Sequence, residues 1–524
     1  MKRSELKGVF LPNRPKVQGG MVDLLLDVAE REPDRPHFRW PDGRMMTVGE
    51  LADRSRRWAT VLAAEGVERG DRVALVGGNS EDYVATQFGT YMLGAVEVPV
   101  NAELRGSLLA RGLSDPDPKV IIIDEDLYES VSPHVPEGVK VLVRDGDTDA
   151  RVAAAEPIAD PVRPAISDLA FILYTSGTTG PSKGVMLPHG YLLNTAATWT
   201  AAMGTKKGDG MYFPAPFFHV DAHVVNTMCL MTGATLGIAK RFSVSRFWEE
   251  SYAVGATLFL AVGSMASALV ARKPEQPPEH AFRLGIVAPI MPEVYDYFED
   301  ELGIPLLQLY GQTEADGVVF CTLDKRKRGS AGWACCGFDV RIVDEHDEPV
   351  PVGEVGRLLY RPHEAHMMTM GYWRRPDATA ESTRNLWWHT GDLARVDEDG
   401  FLFFEGRASD SIRRRGENIS AWELEAALRD IDGVQAAAAI PVRDEIGGED
   451  EVKVFIVLEE GFEWDAERFF AACQEQLPRF AQPRFVELVT EDDLVRGPGT
   501  GAIQKHLLPR ENTDKTIDRM EVFG

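Results

Sequence analysis

"FILYTSGTTGPSKGVMLPH" occupies residues 171–189, and its two halves follow different rules. Phe171 to Tyr174 form an uncharged, β-rich run of the kind that makes a buried strand. The run passes directly into Thr175, Ser176, Gly177, Thr178, Thr179, Gly180, Pro181, Ser182, Lys183 and Gly184. Phosphate oxygens need close backbone N–H groups, which glycines permit, together with hydroxyl donors and a cation. This loop has all three. It is not a Walker A loop, because Gly184 follows Lys183 where a serine or threonine would meet magnesium. A phosphate loop at the end of a buried strand is therefore expected here.

The flanks extend that pattern. "VGELADRSRRWATVLAAEGV" has apolar positions at helical spacing, and "DRVALVG" and "KVIIIDED" are compact strands. "YVATQFGTYMLGAVEVPV" predicts a helix, a turn and a strand. Helices alternating with wholly apolar strands predict stacked parallel α/β sheets up to about residue 310. Residues 318–407 then change to short strands broken by Gly, Pro and Asp, a β-barrel-like texture. The last hundred or so residues predict a small α+β domain, in which Ser420 caps a helix over "AWELEAALRDI". A large domain over 1–408 and a small one over 409–524 suit a chain of 524 residues.

Bulk properties narrow the partners. A net charge of −26 argues against nucleic acid and anionic membranes. Residues 253–271 are uncharged, but Gly255, Gly263, Ser264 and Ser267 dilute them, predicting a strand, a turn and a helix rather than a membrane span. Five cysteines without a CxxC pair, and an N-terminus without an apolar signal core, predict a cytoplasmic protein.

"YTSGTTGPSKGV" resembles the phosphate loop of the adenylate-forming superfamily: acyl-CoA synthetases, luciferases and peptide-synthetase adenylation domains. "PFFHVDAH" (216–223), "LYGQTEA" (309–315), "GEVGRLLYRP" (353–362) and "WWHTGDLARVDEDGFLFFEGRASDSIRRRGENISAWELE" (387–425) are similar to further segments of that family, in order. The resemblance spans essentially the whole chain. It implies two steps, in which a carboxylate attacks the α-phosphate of ATP and a thiol, commonly CoA, then displaces AMP. A rotation of the small domain separates the steps.

By the same resemblance, Thr175 to Lys183 wrap the phosphates and Glu314 holds Mg2+. Ala288, Pro289, Gly311, Gln312 and Thr313 border the nucleotide. Tyr310 lies against adenine, and Asp392 and Arg407 reach the ribose. A carboxylate suits a diol because it offers two acceptor oxygens. His219 falls at the junction of acyl pocket and thiol tunnel. Gly311 stands where acetate-activating relatives carry tryptophan. With the small Ala222 and Gly263 nearby, it implies a deep pocket for a bulky hydrophobic acid. Gly416 lines the pantetheine tunnel, Phe480, Arg484 and Arg413 meet CoA, and Ser409 is the hinge.

One position breaks the pattern. Where relatives read Thr-Gly-Lys-Ile-x-Lys, this chain reads "TGAIQK", with Ala502 in place of the lysine that bridges the carboxylate and the α-phosphate. Losing one preorganised transition-state donor costs about 10²–10³ in rate, on the order of 3–4 kcal/mol. In an extended segment Lys505 points away from the face of Ala502, so it does not substitute. Thiolysis of a ready-made acyl-AMP makes no such demand. The residues thus describe an acyl-CoA ligase impaired in adenylation, fed acyl-AMP by a separate adenylating enzyme. Three alternatives stand beside it: an ordinary two-step ligase carrying an engineered Lys-to-Ala change at 502, a loader of a carrier protein, and a non-catalytic binder of acyl-AMP.

Overall fold

The protein is described by a computed structural model covering residues 3–175, 182–407, 412–443, 449–494, 503 and 505–523. Two large sheets form the body. The first runs in the order Lys140–Arg144, Val120–Asp124, Arg72–Val76, Val96–Val100, Leu169–Thr175 and Lys183–Pro188. Its pairings are parallel except the last, where Thr175 faces Lys183 in an antiparallel pair. The second orders Leu306–Leu307, Leu284–Ala288, Leu258–Val262, Gly210–Phe213, Thr235–Ile238, Pro36–Arg39 and Met45–Thr47, again parallel save at its last pair.

Helices fill the space between these sheets. The helix His189–Met203 has every residue buried, which is why its sequence carries no acidic or Lys/Arg residue on any face. The helix Val220–Thr232 packs beside it. The helix Val48–Ala64 is amphipathic and begins with a reciprocal cap between Thr47 and Glu50. Residues 253–271 hold the expected strand, Leu258–Val262, and helix, Gly263–Ala271, but the strand passes directly into the helix at Gly263 without the expected turn. Among the described residues no helix is long and apolar enough to cross a membrane.

A third, antiparallel sheet orders Glu5–Leu6, Phe338–Val343, Gly356–Pro362, Trp388–Val396 and Leu402–Arg407. The small C-terminal part holds a short hairpin, Ile412–Arg414 with Glu417–Ile419. It also holds a four-stranded sheet of Val434–Arg443, Asp450–Leu458, Phe485–Leu488 and Thr516–Asp518. Ser420 caps the helix Ala421–Arg429, its hydroxyl accepting from the Glu423 N–H at 3.3 Å. This part has its own core around Leu424, Leu428, Val454, Phe470 and Leu477.

Candidate active site

Parallel strands end where ligands bind in layered α/β folds. Here Thr175, Val262 and Ala288, each the last residue of its strand, border one cleft of about 1900 Å³. The hairpin of Leu309–Gln312 and Ala315–Phe320 and the third sheet form further walls, and Arg413, Glu449 and Arg484 close it from the small C-terminal part.

The end expected to take the nucleotide is tied together by hydrogen bonds. The Asp392 carboxylate, almost fully buried, accepts from the Tyr310 hydroxyl at 2.6 Å and from the Gln312 amide at 2.9 Å. Tyr310 lies beside Phe404 with ring planes 27° apart. Tyr372 donates to Glu314 at 2.7 Å, and the Lys183 ammonium sits 4.9 Å above the Tyr372 ring. Burial and the Glu314 carboxylate push the Tyr372 hydroxyl well above its ordinary value, so it remains a donor. Ala288, Pro289 and Thr313 line the same stretch.

The opposite end is made by residues distant in sequence. His219 stands at the N-cap of the helix Val220–Thr232, and its Nε2 meets Glu417 Oε1 at 2.8 Å. Glu417 follows a tight hairpin turn in which Arg415 (φ 56°) and Gly416 (φ 82°) are both left-handed. Hairpin strands twist in the sense such a turn favours, and glycine is at ease there. The Gly416 N–H donates to Glu449, and a Cβ at Gly416 would lie 3.1 Å from Val262. Ser182, at the exit of the glycine-rich loop, donates from its N–H (2.8 Å) and hydroxyl (2.6 Å) to Glu423 of the small domain. Arg111 adds a contact to the same carboxylate at 3.6 Å.

Burial disfavours the charged His219 ring, but Glu417, helped by Asp221 and Glu103, outweighs it and raises the pKa above 6.5. A raised histidine pKa gives stabilisation that is complete below the ordinary value and lost as pH rises through the raised one. The His219–Glu417 clasp between the domains should therefore loosen with rising pH. Energy transfer between dyes on the two domains is expected to fall across that window, and Glu417→Gln should flatten the profile. An unchanged profile in that variant would exclude this clasp as its origin.

Several sequence expectations meet a different structure. Ala222 is buried inside its helix and does not line the cleft. Gly263 is required by packing, since a Cβ there would meet the Pro289 carbonyl oxygen at 2.6 Å. Gly311 does border the cleft, but its Cβ would strike the Gly317 nitrogen at 2.4 Å, so the close hairpin backbone explains the glycine. The part of the cleft expected to take the acyl group is not uniformly apolar: Leu260 and Ile286 share it with Asp221 and Asp316. Phe480 is no stacking platform, being buried in the core of the small domain. Of the three consecutive arginines, Arg414 is structural, donating to the Phe480 and Gln482 carbonyls and pairing with Glu451.

Ser176, Gly177, Thr178, Thr179, Gly180, Ser409 and Ala502 lie outside the described residues, as does the side chain of Arg407, whose backbone pairs with Asp392. Lys505 is described: its ammonium is held 2.6 Å from Glu425 in a mostly buried pair. Sequence reasoning missed Tyr372, Glu417, Glu423 and the two aspartates. Asp221 lies inside the quoted "PFFHVDAH" and Asp316 one residue beyond "LYGQTEA", so proximity to those motifs was the available signal.

A cleft at the strand ends of a two-sheet α/β body, closed by a small α+β part, is the architecture of an adenylate-forming enzyme. Residues 25–373 match the AMP-binding enzyme family, and residues 423–496 match the AMP-binding enzyme C-terminal domain. The chain belongs to that family, on its acyl-CoA ligase branch. It is 29% identical over 485 residues to the crotonobetaine/carnitine–CoA ligase of Salmonella enteritidis, covering 88% of this chain and 93% of the relative. A double mutant of the o-succinylbenzoate CoA synthetase of Bacillus subtilis, bound to its product analogue, superposes with TM-score 0.82 at 25% identity, covering 94% and 99% of the two chains. The same enzyme with AMP gives 0.69 at 24% identity and coverages of 95% and 99%. A fatty acyl CoA synthetase of Mycobacterium tuberculosis gives 0.69 at 27% identity, covering 93% and 97%.

Proposed function

We propose that the protein converts acyl-AMP and CoA to acyl-CoA and AMP, with its own ATP-dependent adenylation impaired. The CoA sulfur attacks the acyl carbon and the acyl C–O bond of the mixed anhydride breaks. AMP leaves with the electron pair, and the thiol proton passes to solvent. The observation that carries this reading is Lys505: with alanine at 502, the nearest lysine in that segment is anchored on Glu425. Breaking such a pair leaves a buried carboxylate uncompensated, so Lys505 is not free to reach an α-phosphate.

In this reading the thioester side is the end where His219 meets Glu417 across the cleft and Gly416 lies beside Val262. The higher TM-score to the product-analogue complex fits that arrangement. In this reading Thr175, Ser176 to Gly180 and Lys183 form the phosphate cradle, and Tyr310, Asp392 and Arg407 hold the nucleoside. Arg413 and Arg484 meet CoA, and Ser409 divides the domains 1–408 and 409–524. A separate adenylating enzyme supplies the acyl-AMP.

Mg2+ usually takes one or two carboxylates and completes its shell with phosphate oxygens and water. Glu314, fixed by Tyr372 at the cleft, fits that requirement, and the ion would neutralise phosphate charge there. The five cysteines are all free and buried, which suits a reducing cytoplasm.

Purified protein given acid, ATP and CoA should yield little thioester, whereas synthetic acyl-AMP with CoA should yield it rapidly. Brisk turnover of the first mixture would overturn the reading. Binding of acyl-AMP without turnover would make the protein a holder of adenylates instead.

A further inference from the structure

His219 reaches across the cleft from a position that its own helix does not secure. As the N-cap of the helix Val220–Thr232 it has extended torsions (φ −84°, ψ 151°), and its ring makes no capping bond to that helix. An N-cap residue lies half outside the helical hydrogen-bond ladder, so groups beyond the ladder must orient it. Two sets of polar side chains do so.

The first lies in the core. His223, one turn along the helix, directs Nδ1 at the His219 carbonyl (3.1 Å) and Nε2 at both Glu97 carboxyl oxygens (3.2 Å each). A carbonyl can only accept, so Nδ1 carries a proton and Nε2 is left to Glu97. Glu97, in the strand Val96–Val100, also accepts from the Gln87 amide and the Tyr91 hydroxyl, each at 2.8 Å. Phe171 stacks on the His223 ring, 4.8 Å away with planes 7° apart. The Glu97 and His223 side chains are 0% and 2% exposed. Apolar residues would fill such a place at no greater cost in stability, whereas a polar network with its bonds made fixes direction.

The second set clamps the chain just before His219. Asn79 accepts from the Phe217 N–H at 2.8 Å and donates to the Ala215 and Ala239 carbonyls, each at 2.9 Å. Both ends of its amide are thereby used. His219 is thus held from the loop that enters the helix and from the turn that follows.

We propose that Glu97, His223 and Asn79 are positioning residues that set the His219 ring against Glu417 and so hold the small domain on the cleft. This rests on the thioester-forming reading only for the reaction that the closed cleft would serve.

The test uses the intact protein with dyes on its two domains, at mildly acidic pH. Glu97→Gln and Asn79→Ala should each lower energy transfer toward the value of Glu417→Gln. Neither should lower it further when combined with Glu417→Gln. Removing one member of a buried pair is destabilising, so Glu97→Met with His223→Leu is measured as well. Replacing both members by apolar groups should keep or raise the urea midpoint while energy transfer falls as before. A merely structural role would move both measurements together. Thioester formation is read with a panel of alkanoyl- and aroyl-AMPs and CoA. In the same variants kcat should fall about tenfold with KM within about twofold, and once His219 is replaced by alanine the further loss should be no more than about twofold. Unchanged energy transfer in the variants, or falls of equal size with and without the Glu417 carboxylate, would overturn the proposal. Should the unmodified protein form no thioester from the panel while the energy-transfer cycle behaves as expected, the proposal stands and the thioester-forming reading fails.

Discussion

Replacing Ala502 with lysine should raise ATP- and acid-dependent pyrophosphate exchange by about 10²–10³-fold or more. The α-phosphorus becomes five-coordinate as the carboxylate attacks, gathering negative charge between two anionic groups. A mobile ammonium there acts on the transition state far more than on the ground state, so the gain belongs in kcat. Conversion of preformed acyl-AMP and CoA should change by no more than about twofold, because the mixed anhydride is already activated and needs no such cation. Lys505 sets the contrast, held on Glu425 with only 15% of its side chain exposed. If the unmodified protein already exchanges pyrophosphate rapidly, Ala502 is not the deficit it is taken for.

Gly416→Val should lower the thioester step by about 10²-fold. A β-branched residue at φ 82° is strained by about 1–3 kcal/mol, and its side chain would also press on Val262, 3.1 Å from the Cβ position. The turn cannot shift freely to relieve this, since the Gly416 N–H is held by Glu449 and Glu417 is bonded to His219. Binding of acyl-AMP should survive, because the strain falls on the docked small domain. Single-turnover thioester formation beside adenylate binding separates the two effects, and equal losses in both would point to general misfolding.

What could be read from the chain depended on how local its cause was. The strands Arg72–Val76 and Val120–Asp124, and the Ser420 cap, are dictated by neighbours a few residues away, and each was predictable. The family was legible because residues 171–189 carry the dense local pattern of glycine, hydroxyl and cation that phosphate demands. Gly263 and Gly311 answer a packing demand that the chain does not announce, because the backbone that requires each glycine is met only after folding. Phe480 sits beside a basic, proline-rich stretch that reads as surface, yet its ring completes the small core. Glu417 lies 198 residues from His219, and no periodicity joins them. Asp221 and Asp316 are the same kind of omission: each is an ordinary acid in its own segment, and only the cleft brings them together.

In the proposed cycle the contact between Glu423 and Ser182 would bear on the order of events. A polyanion resting in the loop would face a like charge from the incoming helix, so an occupied loop and a seated helix repel each other. In a two-step ligase that repulsion would hold the lid open until the inorganic product had gone. A chain supplied with ready-made adenylate never generates that product, so its lid would have nothing to wait for.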